Sequence, residues 1–251
     1  MRVLVLASGG KDSALASWWA ISKGWDVAGL VTVSVEDDDS FMFQLQSTNL
    51  AAYQSAAMNV GWMQVTVSGK PDQEVIELER SLVGVISGKV GPNPPTSLPG
   101  GGWKIPSALR NIDSGPAIDA IVCGAIRSEY QRRRIELMCE RLGVISFTPL
   151  WHHDPLQHMQ ELVSCGFKMM LVSVSSDGLT EEWLGQLLTR ESLSTLNNLA
   201  KEFRFSVDGE GGEYETIVTS APHFDGDISV QGESNWQGRR GEFIITDAKL
   251  E

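Results

Sequence analysis

Apolar positions run through the first half of the chain in two alternating rhythms. Val3 to Ala7 is apolar without a break, as in a strand covered on both faces of a parallel sheet. Asp12 to Lys23 follows with a helical period that sets Leu15, Trp18, Trp19 and Ser22 on one face, and Gly24 stands where a helix would stop. Val27 to Ser34 is a second β-rich run and leads into a polar loop, Glu36 to Asp39. The spacing then predicts a helix over Gln46 to Asn59, a strand over Trp62 to Val67 and a helix over residues 72–86. Gly91 to Pro106 holds five prolines and four glycines, the composition of a loop. A strand, Ala120 to Cys123, and a helix, Arg127 to Leu142, complete the alternation. Strand and helix in turn predict an α/β fold, a doubly wound and mostly parallel sheet with right-handed crossovers. Ligands in such sheets sit beyond the carboxyl ends of the strands, where the connections reverse direction.

After Trp151 the rhythm changes. A helix over Pro155 to Cys165, an apolar strand over Lys168 to Ser175 and a helix over Glu191 to Phe203 precede fifty short-stranded, glycine-punctuated residues. The expectation is two domains, residues 1–150 for ligand binding and a smaller α+β domain, 151–251, for a substrate. The formal net charge of −12 gives a field that repels nucleic acid. No apolar run is long enough to span a bilayer, and the opening MRVLVLASGG reads as a first buried strand rather than a targeting segment. Three scattered cysteines, Cys123, Cys139 and Cys165, without a C-x-x-C, suit a reducing, cytoplasmic compartment and neither a zinc knuckle nor a disulfide framework.

The chemistry starts at Ser8-Gly9-Gly10-Lys11-Asp12-Ser13, where the first strand meets the first helix. Two glycines allow a tight turn and close approach of a ligand to the backbone. Free amides at a helix start suit a phosphate. Lys11 adds a full charge, and Ser8 and Ser13 add hydroxyl donors. The spacing is not that of a Walker A loop or of G-x-G-x-x-G. S-G-G-K-D-S resembles the pyrophosphate loop of the ATP pyrophosphatases, which implies ATP cleaved to AMP and pyrophosphate.

Two further constellations stand out. In CGAIRSEYQRRRIE, Cys123 to Glu136, Gly124 follows a strand and Ser128 is placed to cap the next helix, with Ile135, Met138, Cys139 and Leu142 facing the core. Tyr130, Gln131, Arg132 and Arg134 begin that helix at the ligand edge. Arginines there oppose the helix dipole, and a phosphate or carboxylate would make sense of them; a solvated basic face is the plainer alternative. In GEGGEYET, Gly209 to Thr216, an extended backbone puts Glu213 and Glu215 on one face, Tyr214 and Thr216 on the other. That reads as an acidic pocket for a cation, as a magnesium site, or as a β-turn with incidental acids.

These motifs, with SFMFQ at Ser40 to Gln44, TPLW before His152, DGLTEEWLG at Asp177 to Gly185 and the closing GEFIITDAKLE, resemble the diphthine–ammonia ligases nearly end to end. The family often has tyrosines where Phe41 and Phe43 stand, and an acidic segment in place of IPSALRN, Ile105 to Asn111. The resemblance implies an adenine nucleotide α-hydrolase-like fold. It also implies an AMP-forming amide ligase that completes diphthamide on translation elongation factor 2: ATP activates the diphthine carboxylate as an acyl-adenylate, and ammonia attacks it. Ser8, Gly9, Gly10, Lys11, Asp12, Ser13 and Gly124 would hold ATP. Asp12 would hold Mg2+ or order the loop, and Lys11, Asp12, Arg132 and Arg134 would act in catalysis. Tyr130, Gln131, Glu210, Glu213, Tyr214 and Glu215 would meet the substrate and its quaternary ammonium. No glutaminase signature accompanies the ligase, so free ammonia is the expected nitrogen source. His152 and His153, in a loop after Trp151, read as structural or solvent-exposed rather than catalytic. The expected partners are the elongation factor and ammonia, with no nucleic acid, no membrane and a homodimer as a guess. A ligase for a small carboxylic acid, or an ATP-binding regulator without turnover, stays open.

Overall fold

The computed structural model describes residues 1–35, 48–70, 73–98 and 104–251. The Glu36 to Asp39 loop and the Ser40 to Gln44 motif, with Phe41 and Phe43, lie outside the described residues. So do residues 46–47 and 72 of two expected helices and residues 99–103 of the proline-rich loop.

Five parallel strands form one sheet: β1 (Arg2–Leu6), β2 (Asp26–Val35), β3 (Gly61–Val67), β4 (Ala120–Cys123) and β5 (Ile145–Phe147), in the order β3-β2-β1-β4-β5. The α/β expectation holds. β1 lies in the middle because the chain builds outward to β3 and then returns to β4 on the other side. That return makes the β1/β4 boundary the switch point, where a crevice opens. β5 has only three residues, too few to show a period, and escaped the pattern.

Unbroken apolar strands bury both faces. Leu4 and Leu6 pack with Val31, Met63 and Val65 under α3 (Glu74–Ile86) and α4 (Glu129–Leu142). Val3 and Val5 face the other way, into a core with α1 (Lys11–Ser22), α2 (Leu50–Ala57) and α5 (Pro155–Ser164). In α1 the small residues Ala14, Ala16 and Ala20 are buried, while Trp18 and Trp19 are only half-buried. Of the expected stripe, Leu15 is buried and Trp18 and Trp19 pack against the core from its edge, while Ser22 is exposed and the alanines lie closest to the neighbouring elements. Trp18 packs edge-on against Phe167, and Trp19 against Trp25. Gly24, at φ 71°, follows the end of α1 as expected. α4 begins at Glu129 rather than Arg127, because Ser128 is extended and its hydroxyl accepts the Gln131 amide at 3.3 Å.

The remaining strands form an antiparallel sheet, β6 (Lys168–Val174), β7 (Tyr214–Ser220), β8 (Ile228–Gln237) and β9 (Arg240–Leu250), ordered β7-β6-β9-β8. It is backed by α6 (Arg190–Phe203), whose Leu193 and Leu196 are buried. Met159, Leu171 and Val218 belong to the same buried cluster as Val3 and Val5, so the two sheets share one core. No helix among the described residues is long and apolar enough to cross a membrane.

Candidate active site

The glycine turn sits at the switch point. β1 ends at Leu6, and Gly9 takes φ 86°, a left-handed conformation that favours glycine. Gly10 is the N-cap of α1 and, having no side chain, offers the helix start no internal acceptor. The positive end of α1 is therefore open to an anion. The turn is held from behind. Val218 on β7 donates its amide to the Gly9 carbonyl at 3.0 Å, and Gln54 Nε2 on α2 donates to the same oxygen at 2.9 Å and to the Val218 carbonyl at 2.8 Å. The Lys11 amide donates to Thr216 Oγ1 at 3.4 Å, and Ser13 Oγ donates to the Gly10 carbonyl at 3.1 Å. β7 is an edge strand, and its free edge is taken up by the turn. Gln54 is buried and its amide is directional, so it locks strand to turn.

Below the turn lies a charged cluster. Lys11 is 6% exposed, and its ammonium contacts Asp12 Oδ2 at 2.9 Å. Asp12 Oδ1 accepts from His158 Nε2 at 2.8 Å. Burial pushes the Asp12 carboxyl up, but Lys11 and His158 more than offset this and hold it below the usual carboxylate range. An ionised carboxylate only accepts, so Nε2 is the protonated nitrogen of His158 in this bond. Burial works against the Lys11 ammonium, and Asp12, Glu210 and Asp208 reverse that and raise it. His158 is delivered by α5: Asp154 caps the helix by accepting the Gln157 amide at 2.9 Å, Pro155 opens it, and one turn on the fully buried imidazole meets α1. Gly124, just past β4, closes the other side. A methyl group there would lie 2.7 Å from the Asp12 carbonyl carbon and 2.8 Å from the Ser13 nitrogen.

Over the turn opens a cavity of about 530 Å³, lined by Ser8, Gly10, Lys11, Asp12 and Ser13, by Gly124, Ser128 and Gln131, and by Glu210, Glu215 and Thr216. Its size is that of a small-molecule site. Asp208 is buried, pairs with Arg127 at 2.7 Å and accepts from Ser206 Oγ at 2.5 Å. Burial pushes its carboxyl up, and these partners bring it below the ordinary value. Glu210 stands at the mouth. Withdrawal from water and then the charge of Asp12 push its carboxyl up to about 7, with Lys11 pulling the other way. The residue as a whole is exposed, so water screens part of this effect.

Two models of the diphthamide synthase family match this chain, the N-terminal domain over residues 1–90 and the C-terminal domain over residues 154–250. The chain belongs to the diphthamide synthase family. Relatives named diphthine–ammonia ligase include one from Schizosaccharomyces pombe, 30% identical over 237 residues. Others come from Danio rerio, 28% over 231 residues, and Homo sapiens, 27% over 238. The alignments cover 89%, 89% and 92% of this chain, and 35%, 84% and 83% of those proteins. The chain thus spans about a third of the fission-yeast relative. A solved structure titled a predicted subunit of tRNA methyltransferase from Methanocaldococcus jannaschii aligns over 88% of this chain and 98% of that one, at a TM-score of 0.41 and 14% identity, too distant to bear on function.

Within this diphthamide synthase family member, the expected site residues separate into three groups. Ser8, Gly10, Lys11, Asp12, Ser13, Gly124, Gln131, Glu210, Glu215 and Tyr214 come together around the cavity, and Gly9 shapes its floor. Tyr214 is buried, and its hydroxyl donates to the Val207 carbonyl at 2.5 Å. Burial and surrounding carboxylates raise that phenol well above its ordinary value, so it contributes wall rather than an open aromatic face. Glu213 accepts the Ser206 amide at 2.9 Å and the Gly211 amide at 2.8 Å; it shapes the loop instead of facing a substrate. Arg132, Arg134 and Tyr130 do not line the cavity. Arg132 is gripped by Glu129 at 2.9 Å and Glu136 at 2.7 Å and lies over Trp151, while Arg134 stacks on Tyr130 at 3.5 Å. The helical i, i+3 and i, i+4 pairs answer the question of what their charges meet.

The metal expectation for Asp12 meets a carboxylate with both oxygens engaged, an arrangement that orders the loop. Among the described residues no group of three His, Cys, Asp or Glu could hold a metal. Burial raises the Cys123 and Cys139 thiols, the latter to about 12, which suits core residues. Cys139 is buried as expected; Cys123 and Cys165 are only half-buried. His158, Gln54, Asp208 and Arg127 were missed. Each lies far in sequence from the turn, and a single histidine or glutamine carries no local pattern.

Proposed function

We propose that this protein is an ATP-dependent, AMP-forming amide ligase that converts diphthine on translation elongation factor 2 to diphthamide with free ammonia. One observation carries the reading. In a chain of the diphthamide synthase family, a helix start whose N-cap glycine has no side chain to cap it, with a buried lysine beside it, opens at the sheet's switch point. As co-substrate, ATP would activate the carboxylate and leave as AMP and pyrophosphate. Lys11 and the open end of α1 would bind the phosphates and stabilise charge on the departing group. Asp12, fixed by His158, would keep the Lys11 ammonium aimed at the cavity. Gln54 and Thr216 would keep the turn in one shape, since a misplacement of about 1 Å in such a site costs on the order of 100-fold in rate. Glu210, with its raised carboxyl, would hold the proton released as the amide forms. Any Mg2+ would bind mainly through the phosphates, as that ion commonly does. Residues 151–251 would face the acceptor, with Glu215 at the boundary.

The test is release of AMP and pyrophosphate, with and without ammonium and with and without diphthine-bearing elongation factor 2. AMP formation that requires the factor, with the amide appearing on its modified histidine, is the expected result. AMP formed equally well with a small carboxylic acid would redirect the substrate. ATP binding without AMP under any condition would overturn the ligase.

A further inference from the structure

We infer that a second cavity, on the far side of β6 from the glycine turn, seats the polypeptide that carries the reacting carboxylate. It measures about 380 Å³ and is lined by Ser173, Ser175, Asn235, Gln237, Arg240 and Glu242. The strand register ties it to the first cavity. Glu215 pairs with Ser173, Ser173 with Glu242, and Glu242 with Asn235, so one row crosses all four strands of the second sheet. Directly paired residues project from the same face. The row begins at Glu215, in the wall of the nucleotide cavity, and ends in the second cavity. Two residues along on the same face stand Ser175, Arg240 and Gln237, with Arg240 paired to Gln237. Ser175 also joins the two cavities directly: its hydroxyl donates at 2.5 Å to the carbonyl of Gly212, which lines the first.

The chemistry of this face favours a peptide. Two hydroxyls and two carboxamides can pair with backbone N–H and C=O groups in either sense. Arg240 and Glu242 lie on one face with no ion pair among the described residues, whereas the adjacent Arg239 pairs with Asp177 at 3.4 Å. Three strand spacings separate Glu215 from Asn235, roughly 14 Å at about 4.8 Å each. A small carboxylic acid in the nucleotide cavity would leave that track untouched; an extended chain would follow it. Nucleic acid is disfavoured, because a single arginine beside a glutamate cannot neutralise a phosphate backbone. The inference rests on the reading that the acceptor carboxylate is borne by a protein.

The experiment uses Arg240→Ala, Arg240→Glu and the double variant Asn235→Ala/Gln237→Ala, all at exposed positions. It measures the Kd of fluorescently labelled, diphthine-bearing elongation factor 2 by anisotropy, the KM for that factor, and the Kd for ATP. Wild-type protein should bind the factor. Arg240→Ala should weaken binding and raise KM about 10-fold, the loss of a charge-assisted hydrogen bond, and Arg240→Glu should do so more strongly. ATP affinity should stay within about twofold, because these side chains do not reach the glycine turn. Factor binding unchanged in all three variants would overturn the second cavity while leaving the ligase reading intact. A wild-type protein that turns over a small carboxylate but does not bind the factor would overturn both.

Discussion

Gly124→Ala probes the close approach of two chain segments that builds the cavity over the glycine turn. The added methyl would stand 2.7 Å from both the carbonyl carbon and oxygen of Asp12 and 2.8 Å from the Ser13 nitrogen. All three are backbone atoms in the first turn of α1, so no side chain can swing aside. Ordinary contact begins near 3.4 Å, and the first turn must retreat by about 0.7 Å. Overpacking of this kind costs about 1–3 kcal/mol. For a chain of this length that lowers Tm by roughly 2–12 °C. The larger effect falls on the site, because the same displacement carries Lys11 and Asp12 with it. ATP affinity should fall at least about 10-fold by calorimetry, and AMP formation on the order of 100-fold. Gly84→Ala is the control: Gly84 lies within α3 with nothing within 4 Å of the new carbon, so the change should stabilise the protein by about 0.5–1 kcal/mol and leave ATP binding alone. Gly124→Ala protein with wild-type ATP affinity and wild-type Tm would refute the reasoning.

Other substitutions test separate parts of the site. His158→Leu removes the donor to Asp12, a bond to an ionised group worth about 1.5–3 kcal/mol; ATP turnover should drop, and His158→Gln should restore part of it, as kcat and KM measured side by side would reveal. Gln54→Leu leaves the Gly9 and Val218 carbonyls without their side-chain donor and should destabilise the fold by about 1–3 kcal/mol in urea unfolding. Glu210 holds its proton more tightly when folded than when unfolded, so its contribution to stability is present at low pH and is lost as pH rises from the ordinary carboxyl range through about 7. Glu210→Gln should therefore flatten the fall in Tm over that range, and it should also remove a loss of metal-free ATP affinity as pH rises through about 7; identical pH profiles in both proteins would exclude this role. Arg132→Ala should leave ATP affinity within about twofold, because its ion pairs lie on the surface of α4 away from the cavity.

What was legible in the sequence was local. An apolar run such as Val3 to Ala7 can be stable only between two layers, and S-G-G-K-D-S can serve an anion because two glycines, a lysine and a helix start are consecutive. Ser128 as a cap, and Glu215 and Thr216 on opposite faces of β7, also follow from neighbours in the chain. Charge alone could not tell where Arg132 and Arg134 point: on a helix, residues three or four apart decide that, and Glu129, Glu136 and Tyr130 claim them first. Glu213 looked equivalent to Glu215 by alternation, but the turn through Gly211 and Gly212 bends it back onto its own backbone. Only the tertiary structure brings His158 from α5, Gln54 from α2 and Thr216 from β7 onto one turn. Their separations from it run from about 45 to about 200 residues, and nothing short of the packed core makes those distances small. The elements and the glycine turn could be read from the chain alone, because propensity and periodicity act within a few residues. The folded chain decided which charges face the cavity, because burial and pairing depend on which distant segments share the core.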